Sequence, residues 1–148
     1  MLIDSHCHLD FPDFSDQLDD VVARARARGV ERMITICTRV EKFDQVLAVA
    51  ERYDDVFCSV GTHPHNADEE LHVTTDQLVA LAAHRKVVAI GEAGLDYHYD
   101  NSAPDSQKRS FITHIAAARI TGLPLIIHAR AADADMMDIL VKETENGA

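Results

Sequence analysis

The chain has 148 residues, 47% of them hydrophobic and 26% charged, which suits one soluble globular domain with a real core. A net charge of −11, from 25 acids against 14 Lys and Arg, argues against broad binding to a nucleic-acid backbone but leaves room for local capture of one phosphate by cations. No apolar run approaches the ~20 residues that span a bilayer, and the N-terminus lacks a signal-peptide layout, so the expectation is a cytoplasmic protein with no membrane partner.

The opening run Met1-Leu2-Ile3 predicts a strand leading into Asp4-Ser5-His6-Cys7-His8. On a strand His6 and His8 face one way and Cys7 the other, and two neutral imidazoles so placed make half of a divalent-metal site. A helix follows, with Ser15 as N-cap, Val21, Val22 and Ala25 on one face and Gly29 as its stop. The acidic run Asp10, Asp13, Asp16, Asp19 and Asp20 suits the positive end of that helix. Met33 to Cys37 reads as the second strand, and Phe43, Val46, Leu47 and Ala50 stripe the second helix. Val56 to Val60 is the third strand and ends at Gly61-Thr62-His63-Pro64-His65; Leu78, Leu81 and Ala82 mark the third helix.

The fourth strand, Val87 to Ile90, runs into Gly91-Glu92-Ala93-Gly94-Leu95-Asp96-Tyr97, where the glycines permit a turn or a tight backbone approach. The fourth helix starts near Pro104, carries Phe111, Ile112, Ile115 and Ala118, and stops at Gly122. Leu125 to Ile127 is the fifth strand and leads into His128-Ala129-Arg130. Met136, Met137, Ile139 and Leu140 mark a fifth helix, its methionines read as core. Cys7, Cys37 and Cys58 each fall in a predicted strand without paired spacing and read as buried thiols.

Strand and helix alternating five times, with strands apolar enough for burial on both faces, predict a parallel α/β sheet. No Gly-x-Gly-x-x-Gly follows the first strand, which removes the dinucleotide-binding reading. A (β/α)₈, TIM-type barrel instead places its catalytic groups at the carboxyl ends of several strands, where this sequence has its unusual polar residues. Closing the sheet would gather them around one mouth, where Glu92 can bridge two cations and imidazoles complete each coordination sphere. Asp4 and Asp96 are candidates for orienting ligand imidazoles, or equally for forming turns. His72, His84 and His98 read as solvated.

Together, His6-x-His8, Gly61-Thr62-His63-Pro64-His65, Gly91-Glu92-Ala93-Gly94-Leu95-Asp96-Tyr97 and His128-x-Arg130 resemble the TatD family of metal-dependent hydrolases with deoxyribonuclease activity. The resemblance implies two divalent ions of the Mg²⁺, Mn²⁺ or Zn²⁺ kind. His6 and His8 would hold one, His128 the other, and Glu92 would bridge them. It also implies that His63 and His65 line the substrate cleft and that Arg130 meets a phosphate, with Glu92, His63 and Arg130 as the catalytic set and DNA ends as substrate. The family adds a later histidine and aspartate that do not occur within this sequence. The expectation is therefore one domain over residues 1–148, incomplete at its C-terminus and amounting to about five of eight βα units. Gly147 reads as the stop of the fifth helix. Such a chain is expected to show little activity alone and to self-associate through open sheet edges. His114 stands where the family more often has glutamine. Alternatives are a hydrolase of an amide, lactone or aminoacyl ester, and a non-catalytic remnant. Because the fourth strand ends in Glu92 rather than a lysine that could be carboxylated, the phosphodiester reading is favoured over the other hydrolases.

Overall fold

The structure, a computed structural model, describes residues 2–145, so the expected helix stop at Gly147 lies outside the described residues. Among them, five parallel strands run in sequential order: β1 (Leu2–Cys7), β2 (Val30–Thr35), β3 (Val56–Val60), β4 (Val87–Asp96) and β5 (Leu125–Arg130). Helices α1 (Leu18–Ala27), α2 (Phe43–Arg52), α3 (Thr75–Ala82), α4 (Pro104–Thr121) and α5 (Asp133–Glu145) follow them in turn. The sheet curls into an open half-barrel of the TIM type, as the alternation predicts. Every neighbouring pair is parallel, so the carboxyl ends of all five strands share one rim.

Burial on both faces holds for β3 and β4 but not for the sheet's edges. Leu2 and Ile3 on β1 and Ile127 on β5 are exposed. An edge strand has one neighbour instead of two, and these faces lack a covering layer. The core divides into two clusters. Val22, Met33, Val46, Val56, Leu78 and Ile90 pack between the sheet and α1 to α3. Leu95, Phe111, Ile115, Met136 and Ile139 join the end of β4 to α4 and α5. Full burial of a side chain such as Phe111 or Leu95 stabilises by roughly 1.5–3 kcal/mol.

Several local expectations need correction. Ser15 does not cap α1. Pro12 fixes the backbone of a separate 3₁₀ turn, Pro12–Phe14; the Ser15 hydroxyl donates to the Pro12 carbonyl at 2.9 Å, and the helix starts only after Gln17. Met136 is buried, but Met137 is 60% exposed, because the buried stripe of α5 passes through Met136 and Ile139 and leaves Met137 on the opposite side. Cys37 is buried beyond the end of β2 rather than within it. Burial pushes the Cys37 and Cys58 thiols up to about 12, and burial with the nearby Asp4 and Asp10 does the same for Cys7, so all three stay protonated at neutral pH.

The largest correction concerns β4, which does not end at Ile90. It continues through Gly91, Glu92, Ala93, Gly94 and Leu95 to Asp96, so Glu92 is a strand residue and not part of a loop. Likewise His128 and Arg130 belong to β5 itself. What permits this is the missing side chain at Gly94. It sits at φ +150° opposite His128, and a Cβ there would lie 2.0 Å from the His128 carbonyl oxygen. No alanine fits without moving β5.

Gly94→Ala is therefore expected to destabilise by roughly 3 kcal/mol or more, through strain plus overpacking. Gly122→Ala, at φ +69° with nothing within 4 Å of its Cβ, should lose only the left-handed penalty of about 1–2 kcal/mol. Urea denaturation of both variants checks this; equal losses would mean that the β4–β5 contact is not the constraint.

Candidate metal centre

Glu92 is nearly buried, and its two carboxylate oxygens face different imidazoles. Oε1 lies 3.1 Å from His128 Nδ1, and Oε2 lies 3.5 Å from His6 Nε2. Two groups of donor atoms converge on it: His6 and His8 on one side, His63 and His128 on the other, each set within 4.8 Å of one another. The parallel register explains the gathering, since β1, β3, β4 and β5 deliver these residues to the same rim.

His8 supplies the test of fit. Its Nδ1 is buried with no hydrogen-bond partner, while its ring stacks on Phe11 at 4.7 Å. A buried imidazole nitrogen left unpaired is unfavourable, and a ring grouped with a carboxylate and a second imidazole has the donor chemistry of a divalent-cation ligand. The residues fit such an ion.

Hydrogen bonds set the ring protons on the other side. Asp96 is fully buried, and its Oδ2 accepts from His65 Nε2 at 2.8 Å and His128 Nε2 at 2.9 Å. Its Oδ1 accepts from the backbone N–H of His98 at 3.0 Å and of Tyr99 at 3.2 Å. Burial alone would raise this carboxyl, but the four donors outweigh it and hold Asp96 well below the usual carboxylate range. In the tautomer that donates its Nε2–H to Asp96, His128 has a lone pair on Nδ1, which lies 3.1 Å from Glu92 Oε1.

His63 has the opposite arrangement. Its Nδ1 accepts from the His65 N–H at 3.2 Å, which leaves Nε2 protonated and directed at His128 Nδ1, 3.2 Å away. Burial lowers its pKa to about 4, aided by His128 and His65 and opposed by Glu92. His63 is thus a neutral N–H donor at pH 7. Arg130 ends β5 with its guanidinium 4.7 Å from the Tyr99 ring centroid, and no carboxylate pairs with it among the described residues.

Of the remaining expected residues, Asp96 orients imidazoles, whereas Asp4, among the described residues, accepts from the His6 backbone at 3.2 Å, a local turn contact. His72 and His84 lie beside Glu41 and Glu51, and exposed His98 meets the Tyr99 ring edge-on. Asp19 and Asp20 occupy the first turn of α1, as the dipole argument requires, while Asp10 accepts from the Thr35 hydroxyl at 3.2 Å.

Sequence reasoning passed over three supporting residues. Gln107 on α4 clasps the Asp96 backbone, its Oε1 accepting from the Asp96 N–H at 2.7 Å and its Nε2 donating to the carbonyl at 3.0 Å. Buried Glu70 accepts from the N–H groups of Val40 and Glu41 and from the Thr62 hydroxyl, tying two rim loops together. His114 donates from Nδ1 to the Ser110 carbonyl at 2.7 Å and accepts the Thr62 N–H on Nε2 at 2.9 Å, fixing the residue before His63. Gln107 and His114 share the buried stripe of α4 with Phe111. A polar residue on an apolar stripe was the available signal.

The family model described as TatD related DNase matches residues 3–148. The chain belongs to this family. TatD relatives include the metal-dependent hydrolase YabD of Bacillus subtilis, 39% identical over 143 residues, which span 97% of this chain and 56% of the relative. YcfH of Escherichia coli K12 is 39% identical over 145 residues, 96% of this chain and 54% of its own. The 3'-5' ssDNA/RNA exonuclease TatD of Salmonella typhimurium is 36% identical over 131 residues, 88% of this chain and 50% of its own. The crystal structure of the TatD homologue YjjV from Escherichia coli superimposes with a TM-score of 0.87 at 34% identity, covering 96% of this chain and 56% of that one. The chain spans about half the length of the curated relatives it matches.

His114 generates a pH prediction. Its pKa falls from an ordinary 6.5 to about 4, chiefly by burial, so the folded state refuses a proton that the unfolded chain accepts below pH 6.5. Stability is lost as pH drops from about 6.5 to about 4, by up to about 3 kcal/mol from this group. His114→Gln can keep both hydrogen bonds without titrating, and should flatten that slope in urea titrations at pH 4.5 and 7. An unchanged slope would exclude His114 as its source.

Proposed function

We propose that this rim is the site of a divalent-metal-dependent hydrolase that cleaves phosphodiester bonds at DNA ends. The observation that carries the reading is the Glu92 carboxylate shared between two imidazole sets, an arrangement suited to two cations at a fixed separation. In this reading His6 and His8 would hold one ion and His128 the second, with the Glu92 carboxylate contributing to both. Divalent ions bound there supply Lewis acidity toward a phosphate and make water a stronger acid.

The chain's own residues do the rest. Arg130, charged and without a carboxylate partner among the described residues, meets a phosphate at the rim. His63 donates its Nε2 proton in a hydrogen bond to oxygen on which charge develops, and its low pKa keeps it neutral beside the cations. Asp96 fixes the rings of His65 and His128, so neither must reorient during the reaction. The net charge of −11 limits contact to a terminal segment rather than a long backbone track. The name of the Salmonella relative, a 3'-5' ssDNA/RNA exonuclease, supports a 3′ single-stranded end as substrate. The unpaired Arg130 favours a phosphate over the neutral amide, lactone or ester of the competing reading. Self-association through the exposed edge residues Leu2, Ile3 and Ile127 completes the proposal; light scattering should detect dimers or larger species, and a monodisperse monomer would remove that part.

Calorimetric titration with Mn²⁺ should give binding that Glu92→Gln abolishes. Nucleotide release from end-labelled single-stranded DNA should be slow, chelator-sensitive and lost in the same variant. Metal binding unchanged in Glu92→Gln would mean that the histidines coordinate elsewhere. Metal binding without nucleotide release would favour a non-catalytic metal-binding module.

A further inference from the structure

Tyr99 stands out on the rim. The residue is 47% exposed, yet its position is fixed by the same carboxylate that orients the site, because its N–H donates to Asp96 Oδ1 at 3.2 Å. The ring meets His65 edge-on at 5.5 Å, and the Arg130 guanidinium lies over it at 4.7 Å. His65 and His128 share Asp96 Oδ2, so Tyr99 is joined through one buried carboxylate to a ring that faces Glu92. An aromatic held in place, partly bare and carrying a cation matches what a single-stranded nucleic acid requires: a flat apolar surface for the base with a positive charge for the adjoining phosphate.

We propose that Tyr99 is the stacking platform for the terminal nucleobase and that Arg130 holds the phosphate beside it, so that Tyr99 determines the preference for an unpaired, base-bearing end. This rests on the phosphodiesterase reading above and adds a residue that recognises the base. Duplex ends are disfavoured because the terminal base must first break its pairing, and its stacking on the next pair, to swing onto Tyr99 beside the phosphate. Stacking is tolerant of base identity, since every base has a π-face, so the platform selects for unpaired ends without choosing a sequence. The tyrosine hydroxyl has no part in this, and phenylalanine should serve as well.

The chain has no tryptophan and three tyrosines, so stacking can be followed by quenching of tyrosine emission. The probe is a thymidine tetranucleotide with phosphorothioate linkages in Mg²⁺ buffer, compared with the same oligonucleotide lacking its 3′-terminal base. Wild-type protein should be quenched by the intact probe and bind the abasic one roughly tenfold more weakly. Tyr99→Leu should lose roughly tenfold in affinity for the intact probe, followed by anisotropy of a labelled end, with no further loss on the abasic one; Tyr99→Phe should match wild type. Arg130→Ala should weaken both probes alike and lower the salt slope by about one. If base removal and ring removal weaken binding independently, or Tyr99→Leu binds like wild type, Tyr99 is not the platform and the phosphodiesterase reading stands. If wild-type protein binds neither probe, the phosphodiesterase reading falls and this inference with it.

Discussion

A carboxylate removed from water is unfavourable unless donors replace the solvent, and Asp96 takes four of them. Two come from imidazoles and two from the backbone that turns away after β4. This one group therefore sets three things together: which nitrogen of His128 is free, where His65 stands, and where the chain carries Tyr99. Gln107 adds the complementary constraint by pairing the backbone N–H and carbonyl of the same residue. Side chain and main chain of Asp96 are both satisfied, by His128 of the neighbouring strand and by His65, the following backbone and Gln107 from outside the sheet, so β4 can end at a charged residue in the interior.

The remaining polar interior has the same character. Glu70 and His114 reach Thr62 from different elements, and Thr62 immediately precedes His63. Neither supporting residue needs to touch a substrate; each restricts the backbone from which His63 projects. Hydrogen bonds to neighbours that are themselves packed are stiffer than those to solvent, which is how the loop after β3 can present His63 with the precision of a strand. The arrangement makes the rim sensitive to acid, since protonating His114 removes the acceptor that holds Thr62.

Much of this was legible in the residues, for identifiable reasons. Strands and helices followed from the alternation of apolar runs and periodic stripes, and Gly29, Pro104 and Gly122 marked boundaries through backbone geometry alone. The gathering of His6, His8, Glu92 and His128 followed from their shared placement after apolar runs. The full length of β4 did not, because Gly91 and Gly94 look like turn residues in sequence. Only the approach of β5, which depends on residues more than thirty positions away, shows that they are strand residues without room for a side chain. Ser15 misled because a proline three residues earlier had already committed the chain to a separate turn. Gln107 showed only as a polar residue on an apolar stripe, and Glu70 not at all, because their value lies in partners distant in sequence.

The openness of the half-barrel has an electrical consequence. The His6 side chain is 42% exposed, whereas His128 is 22% and Glu92 10%. The two flanks of one carboxylate therefore lie in media of different polarisability, wetter toward β1 and drier toward β5. Attraction between Glu92 and a cation is screened more strongly on the wet flank, and solvent there competes for each coordination position. In the proposed site, a cation held beside His6 would therefore feel the Glu92 charge less strongly than one held beside His128.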